Sequence, residues 1–481
     1  MNPFQVFLLC LCLPLSLRGQ TATQSIPTLI INHVTVIDAT TSSPKRDVSV
    51  VIMGDRIRSI TPYSHARRGA NAAVVDARGK FLIPGLWDMH VHSLSKSQPD
   101  RFFPLFVANG VTGIRDMGGD IPLEQIARLK KEISNGSRLG PEIYAAGPIL
   151  EGENRFWPFS LSVKDQAEAH RAVSKLINEG ADFLKVYNTL SREAYLAIAS
   201  EAKAARIPFV GHIPDSVTPV EASDLGQKSI EHLWGVPLYL SSDPQQLKKM
   251  SAEADNVDDP KTARDLFYRI NQAILSSYDS KKADALFETF VHNDTWQTPT
   301  LVVLRSYASI HDPRLREDPR NAYIPDDLRK FWESMGGVPD SRNDDIQLRL
   351  FAHDIEIVRA MHSFGVPLLA GTDTPNPYTY PGFSLHEELQ FLVSAGLSPT
   401  EALRTATLQA ADFLGIQRDF GSVEAGKVAN LVLLDANPAD DIRNTRKIQA
   451  VILRGKFLSR EALKELLENQ RRSLPGQETR R

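Results

Sequence analysis

The sequence predicts an α/β protein: a (β/α)8 TIM barrel carrying a small composite β-sandwich domain built from both chain ends. Three observations predict it. Between residues 81 and 373, eight short apolar strand candidates alternate with amphipathic helical stretches, the pattern of repeated βα units on a parallel sheet. Short β-rich runs recur at the two ends of the chain, and so small a sheet needs a partner to pack on. Five strand candidates end in His, Lys or Asp, and in a barrel of this kind such ends converge on one mouth.

Residues 1–22 read as a secretory signal, because the apolar run Phe4 to Leu17 is too short to span a bilayer and is followed by Gly19-Gln20-Thr21-Ala22. The expected location is secreted or periplasmic. Cys10 and Cys12 are the two cysteines of the 481-residue chain, and both fall inside this segment, so disulfide and thiol chemistry are excluded from the rest. With 55 basic against 58 acidic side chains and a formal charge of -3, the chain lacks the basic stripe that nucleic acid requires. No later stretch is long and apolar enough for a transmembrane helix, so no membrane partner is expected after signal removal. A small-molecule substrate is the expected partner, and the sequence leaves a homo-oligomer open.

Residues 23–80 supply the N-terminal part of the sandwich, with strands over Thr28–Ile37 and Val48–Met53 ended by Gly54-Asp55. Residues 419–465 supply its C-terminal part, with strands over Asn430–Leu434 and Ile448–Leu453 and a turn at Arg454-Gly455. Residues 81–418 form the barrel. Its strands are expected over Leu82–His92, Val111–Met117, Glu142–Gly147, Asp182–Tyr187, Pro208–Ile213, Ser229–Trp234, Gln297–Leu304 and Val366–Thr372. Helices over Pro122–Ser134, Lys164–Glu179 and Arg192–Ala205 show apolar residues at helical spacing. A lid insertion around 237–296 holds two helices, Asp243–Glu253 and Lys261–Tyr278, and a link this long is expected to cover the mouth. A second insertion, His311–Asp345, adds to the same wall. Pro399–Leu414 reads as one helix, and residues 466–481 as a disordered tail.

The apolar run Phe81 to Trp87 leads into His90 and His92, and residues two apart on a strand share a face, so both imidazoles can reach one ion. Taken singly, the other strand-end residues have plainer readings. Lys185 can snorkel, His212 and His232 can be hydrogen-bonded core histidines, and Asp373 can cap a helix before Thr374-Pro375. Together they form the donor set of an open metal site, which draws on histidines and carboxylates.

Pro84-Gly85-Leu86-Trp87-Asp88-Met89-His90-Val91-His92, Lys185, His212, Ser229-Ile230-Glu231-His232, Ala370-Gly371-Thr372-Asp373 and the stretch Gly421 to Val432 resemble, in that order, the amidohydrolase superfamily of metal-dependent hydrolases. Within it, the resemblance is to the imidazolonepropionase-like or prolidase-like group. It implies two divalent metal ions, with Zn2+ as the default for imidazole and carboxylate ligands. His90, His92 and Asp373 would hold the more buried ion and His212 and His232 the more exposed one, with Lys185 carboxylated by CO2 as the bridge. An unmodified lysine beside a single metal is the alternative. Asp373 would be the catalytic residue, taking a proton from the attacking water and passing it to the leaving group.

The implied activity is cleavage of an amide or peptide-like C–N bond, as in a dipeptidase or an N-acyl amino acid hydrolase. Prolidase-like relatives place a tyrosine two residues after the His212 position, where this chain has Pro214, a departure that bears on dipeptide recognition. Arg155, Tyr187, His292, Tyr378 and Tyr380 are instead the expected substrate-binding residues. A mononuclear deaminase or lactonase of the same superfamily and a non-catalytic binding barrel are the rival readings; Lys185 and the complete ligand set speak against them.

Overall fold

A computed structural model describes residues 28–38, 40, 43–65, 72–96 and 98–474. The expected signal at 1–22, with Cys10 and Cys12, lies outside them. The fold is mixed α/β, with one sheet made from both ends of the chain and two parallel sheets made from the middle.

In the first sheet the strands run in the order Lys456–Ser459, Ile448–Leu453, Leu431–Leu434, Phe81–Pro84, Thr28–Val36, Lys45–Met53 and Arg56–Pro62, with Ala73–Asp76 beside Thr28–Val36. Phe81–Pro84 is the junction. It pairs antiparallel with Leu431–Leu434 and parallel with Thr28–Val36, so that it joins the N- and C-terminal segments. Side chains alternate between faces along a strand. Leu82, Leu431 and Leu433 accordingly pack with Ile31, Val50 and Ile452 on one face, whereas Ile83, Val432 and Leu434 join the large core on the other.

Leu86–Val91, Val111–Asp116 and Glu142–Ala145 form one parallel sheet. Leu184–Val186, Phe209–Gly211, Ser229–Glu231 and Trp296–Thr298 run parallel in the other, edged by Leu150–Glu151 and Leu161–Ser162. Backbone hydrogen bonds link the two: the Asp182 N–H donates to the Ala145 carbonyl at 3.0 Å, and the Met89 and Asp373 N–H groups donate to Ala370 and His90 at 2.9 and 2.7 Å. Gln297 bridges Leu368 in parallel. Helices connect successive strands. In Gln166–Glu179, Asp165 caps the first turn, Ala169, Ala172, Val173 and Leu176 bury one stripe, and Gly180 ends the helix at φ 91°.

Several expected elements are corrected. The run Leu82–His92 is two strands in two sheets, broken at Gly85, where a Cβ would lie 2.1 Å from Thr112 Oγ1. Phe81–Pro84 is accordingly a strand of the sheet made from both chain ends. The strand expected over Gln297–Leu304 is instead Trp296–Thr298, and the helix Leu301–Ala308 takes up the rest of that range after Thr300. The segment expected to be a strand over Val366–Thr372 makes bridges to its neighbours without forming a regular strand. Pro399–Leu414 is two helices, Pro399–Thr405 and Leu408–Phe413. Around 237–296 a third helix, Ser280–His292, follows Pro244–Asp255 and Pro260–Ser276. The helix Arg460–Arg472 overlaps the expected disordered tail at 466–472, its buried Leu463 anchoring it against Val107 and Leu453, and 475–481 lie outside the described residues. Among the described residues no helix is long and apolar enough to cross a membrane.

Candidate metal centre

The strand Leu86–Val91 carries His90 at its end and delivers His92 just beyond it. Asp373, two residues past the buried Gly371, reaches both: its Oδ1 lies 3.3 Å from His90 Nε2 and 3.3 Å from His92 Nε2. Its Oδ2 lies 3.8 Å from His232 Nε2. Donor atoms of His90, His92 and Asp373 all fall within 4.8 Å of one another, a grouping that can hold a metal ion. The His232 ring centre is 4.4 Å from that of His90 and 5.0 Å from that of His212. Lys185, the middle residue of Leu184–Val186, is buried to 1% exposure and borders the same cavity as His92, His212, His232 and Asp373.

His90 Nε2, Asp373 Oδ1, Lys185 Nζ and His212 Nδ1 are all buried and without a hydrogen-bond partner. A buried polar atom left in that state costs about 1–3 kcal/mol. Lys185, His212 and Asp373 border one cavity and His90 Nε2 lies 3.3 Å from Asp373 Oδ1, so a bound cation set would satisfy the four together. The electrostatics agree. Burial brings the His232 imidazole down to about 3 and holds that of His212 well below its ordinary range, so both rings are neutral and offer a lone pair. Burial also lowers the Lys185 amine to about 8, against the pull of Glu231 and Asp373. Although burial opposes ionisation of Asp373, the adjacent His232, His90 and His92 hold its carboxyl well below the usual carboxylate range.

The rings are fixed from behind. His90 Nδ1 donates to Glu231 Oε2 at 2.8 Å, His92 Nδ1 to the Gly118 carbonyl at 2.8 Å, and His232 Nδ1 to Thr300 Oγ1 at 2.6 Å. In each case Nε2 is the nitrogen left for an ion. The His212 ring is held differently, stacked between Tyr187 at 4.4 Å and Trp234 at 4.5 Å. Behind Glu231 stands Arg115, fully buried, with Nη2 donating to both carboxylate oxygens and Nη1 to Ser229 Oγ at 3.0 Å. Asp88 ties the two halves of the site by accepting from the Thr372 N–H at 3.0 Å and its O–H at 2.7 Å; burial raises its carboxyl to about 7 despite these bonds. Positive φ at His232 (58°), Thr300 (48°) and Asp373 (58°) places strained backbone at three positions around the site.

Residues 323–458 match the Amidohydrolase family. Imidazolonepropionase of Pseudomonas fluorescens (strain Pf0-1) is 23% identical over 421 residues, which are 85% of this chain and 92% of that one. The chain is thus similar to amidohydrolases over most of its length, and to the family model over its C-terminal part. Ochratoxinase of Aspergillus niger is 21% identical over 435 residues, covering 78% of this chain and 74% of that one. The solved structure of the bottromycin amidohydrolase shares its fold, with a TM-score of 0.73 at 22% identity over 93% of this chain and 91% of that one.

The expected substrate residues divide. Tyr187 lines the cavity. Arg155 is exposed and gives its guanidinium to the Ser160 carbonyl at 2.9 Å, so it folds back on its own loop. His292 is exposed at the end of the helix that leads into the start of Trp296–Thr298, the opposite end from the strand tips, so it does not face the mouth. Tyr378 and Tyr380 pack against Trp332, with ring centres 5.5 and 5.7 Å away, and lie outside the cavity lining. The expected lid is also corrected, because no residue of 237–296 lines the cavity; its helices Pro244–Asp255 and Pro260–Ser276 pack on each other through Leu247, Leu266 and Ile270. The wall comes instead from Phe331 and Met335 of the second insertion and from Phe156 and Trp157. Sequence reasoning gave Glu231, Arg115, Trp157 and Trp234 no role; Glu231, inside the Ser-Ile-Glu-His motif, was the one with a signal.

Proposed function

We infer that the protein is a hydrolase acting on carbon–nitrogen bonds that cleaves an amide or peptide-like bond in a small molecule of dipeptide or N-acyl amino acid size. One observation carries the reading: partnerless buried donors from Lys185, His212 and Asp373 border a single cavity of about 350 Å³, and the equally partnerless His90 Nε2 lies 3.3 Å from Asp373 Oδ1. His90, His92 and Asp373 would hold one divalent ion and His212 and His232 a second, with Lys185 between them as a carbamate. The lowered Lys185 amine supports that last assignment, because only a neutral amine captures CO2. Zn2+ suits these ligands.

Divalent cations there would supply a Lewis acid for the scissile carbonyl and acidify an attacking water. Asp373, with Oδ1 free of any protein donor, is placed to accept the proton of that water and to return it to the leaving nitrogen. The hydrogen bonds behind His90, His92 and His232 keep their Nε2 atoms aimed inward throughout. The consecutive pairing of the parallel strands and the bonds from 370–373 back to Leu86–Val91 support a closed (β/α)8 barrel, with 23–84 and 419–465 as the composite sandwich. The apolar leader at 1–22 supports secretion or periplasmic export. Metal analysis of the purified protein tests the function, with about two ions per chain and loss of amide hydrolysis on chelation expected. One ion per chain would favour a mononuclear deaminase or lactonase, and none a binding scaffold.

A further inference from the structure

Resting on that hydrolase reading, we propose that the substrate is an uncharged amide carrying aromatic groups, without a free carboxylate beside the scissile bond. Among the described residues eleven large hydrophobic side chains are exposed, and four of them line this one cavity: Phe156 (61%), Phe331 (45%), Met335 (42%) and Trp234 (36%). They come from three segments far apart in sequence, a loop, a strand end and a helix, so their convergence is a property of the fold. Contiguous exposed apolar surface of this kind marks a place where a ligand supplies the missing cover. Trp157 and Tyr187 continue the aromatic wall inward to the histidines; Trp157 stacks on His92 at 6.5 Å.

Charge points the same way. Lys185 is the one Lys or Arg among the lining residues, and it sits on the floor with the histidines. The neighbouring Arg155 is committed to the Ser160 carbonyl. Asn376 is uncharged and held in place, its Nδ2 donating to the Asp373 carbonyl at 2.8 Å and its Oδ1 accepting from the Tyr307 hydroxyl at 3.1 Å. A carboxylate held between the outer walls, above the floor where Lys185 sits, would lose its water and meet no Lys or Arg there in return, whereas a neutral aromatic group gains face and edge contacts.

The test uses metal-loaded protein and a matched pair, N-phenylacetyl-benzylamine and N-phenylacetyl-phenylglycine, which differ by one carboxylate. The neutral amide is expected to have at least a tenfold higher kcat/KM. Phe156→Ala and Phe331→Ala are each expected to raise its KM at least fivefold with an unchanged melting temperature. Equal or faster cleavage of the acid, or an unmoved KM in both variants, would overturn the proposal and leave the hydrolase standing. Should neither compound be cleaved, quenching of Trp157 and Trp234 fluorescence still decides. Tighter binding of the neutral amide upholds the pocket assignment while the hydrolase reading loses support, and tighter or equal binding of the acid overturns the assignment.

Discussion

Glu231 Oε2 lies 2.8 Å from His90 Nδ1, with both side chains fully buried and Arg115 Nη2 bonded to both oxygens of the carboxylate. The histidine ring is thereby fixed in one tautomer, and the carboxylate is held anionic, below its usual range, because Arg115 and His90 outweigh the burial that opposes its charge. Support of this kind is worth about 10–100-fold in metal affinity. Glu231→Gln is therefore expected to weaken metal binding by that factor in a chelator competition. It should also destabilise the fold by about 3–5 kcal/mol, since Arg115 is left as an unpaired buried charge. The double variant Arg115→Met with Glu231→Gln separates the two effects, recovering stability in a urea titration without recovering metal affinity.

Asp373 touches three imidazoles, yet its role in turnover is separable from its role in assembly. Asp373→Asn keeps the shape and one acceptor oxygen but removes the proton-accepting carboxylate. A loss of about 10²–10⁴-fold in kcat is expected, the range of general acid–base contributions, with KM changed far less. Steady-state kinetics on the variant, normalised to its measured metal content, checks this; undiminished kcat would remove Asp373 from the proton path.

The grouping of His90, His92 and Asp373 was legible in the sequence because strand geometry puts the two histidines on one face and because Asp373, like Lys185, His212 and His232, closes a short expected strand. The sequence hid the break at Gly85, since both sheets demand apolar residues and the run Phe81 to Trp87 reads the same whether it serves one sheet or two. It hid the Glu231–Arg115 pair, whose members are 116 positions apart. The aromatic wall was hidden for a related reason: Phe156, Trp157 and Phe331 come from a loop and an insertion, where no periodicity says which way a side chain turns. Tyr378 and Tyr380 looked like mouth residues by position, but Trp332 packs on them and draws them into a separate apolar cluster.

Gly371 explains why the Ala-Gly-Thr-Asp segment lies so close to the first histidine. A Cβ there would fall 2.7 Å from His90 Cβ, 2.7 Å from Thr298 Cγ2 and 2.9 Å from the His90 backbone nitrogen. Backbone cannot yield as a flexible side chain would, so Gly371→Ala must push Asp373 away from His90. A destabilisation of about 1–3 kcal/mol is expected from the overpacking. Weakened metal binding in the folded variant should accompany it, measurable by denaturation with and without added Zn2+, the metal-dependent gain in stability shrinking relative to the parent protein.

Glu388 offers a pH test away from the metal ligands. It is fully buried and accepts the Val302 N–H at 2.8 Å, and burial raises its carboxyl from 4.5 to about 8, more than the Val302 and Leu301 backbone bonds lower it. Between those two values the folded protein holds a proton that the unfolded chain has released. The folded state therefore loses stability as pH rises through that window, at up to about 1.4 kcal/mol per pH step from this group. Below 4.5 both states are protonated and the group contributes no slope. Glu388→Gln keeps an acceptor for Val302 and cannot ionise, so it should match the parent protein near pH 4 and exceed it in stability by pH 8. Urea titrations of both proteins at several pH values check the sign; a parent protein that gains on the variant as pH rises would show the Glu388 carboxylate to be stabilised, not penalised, by its surroundings.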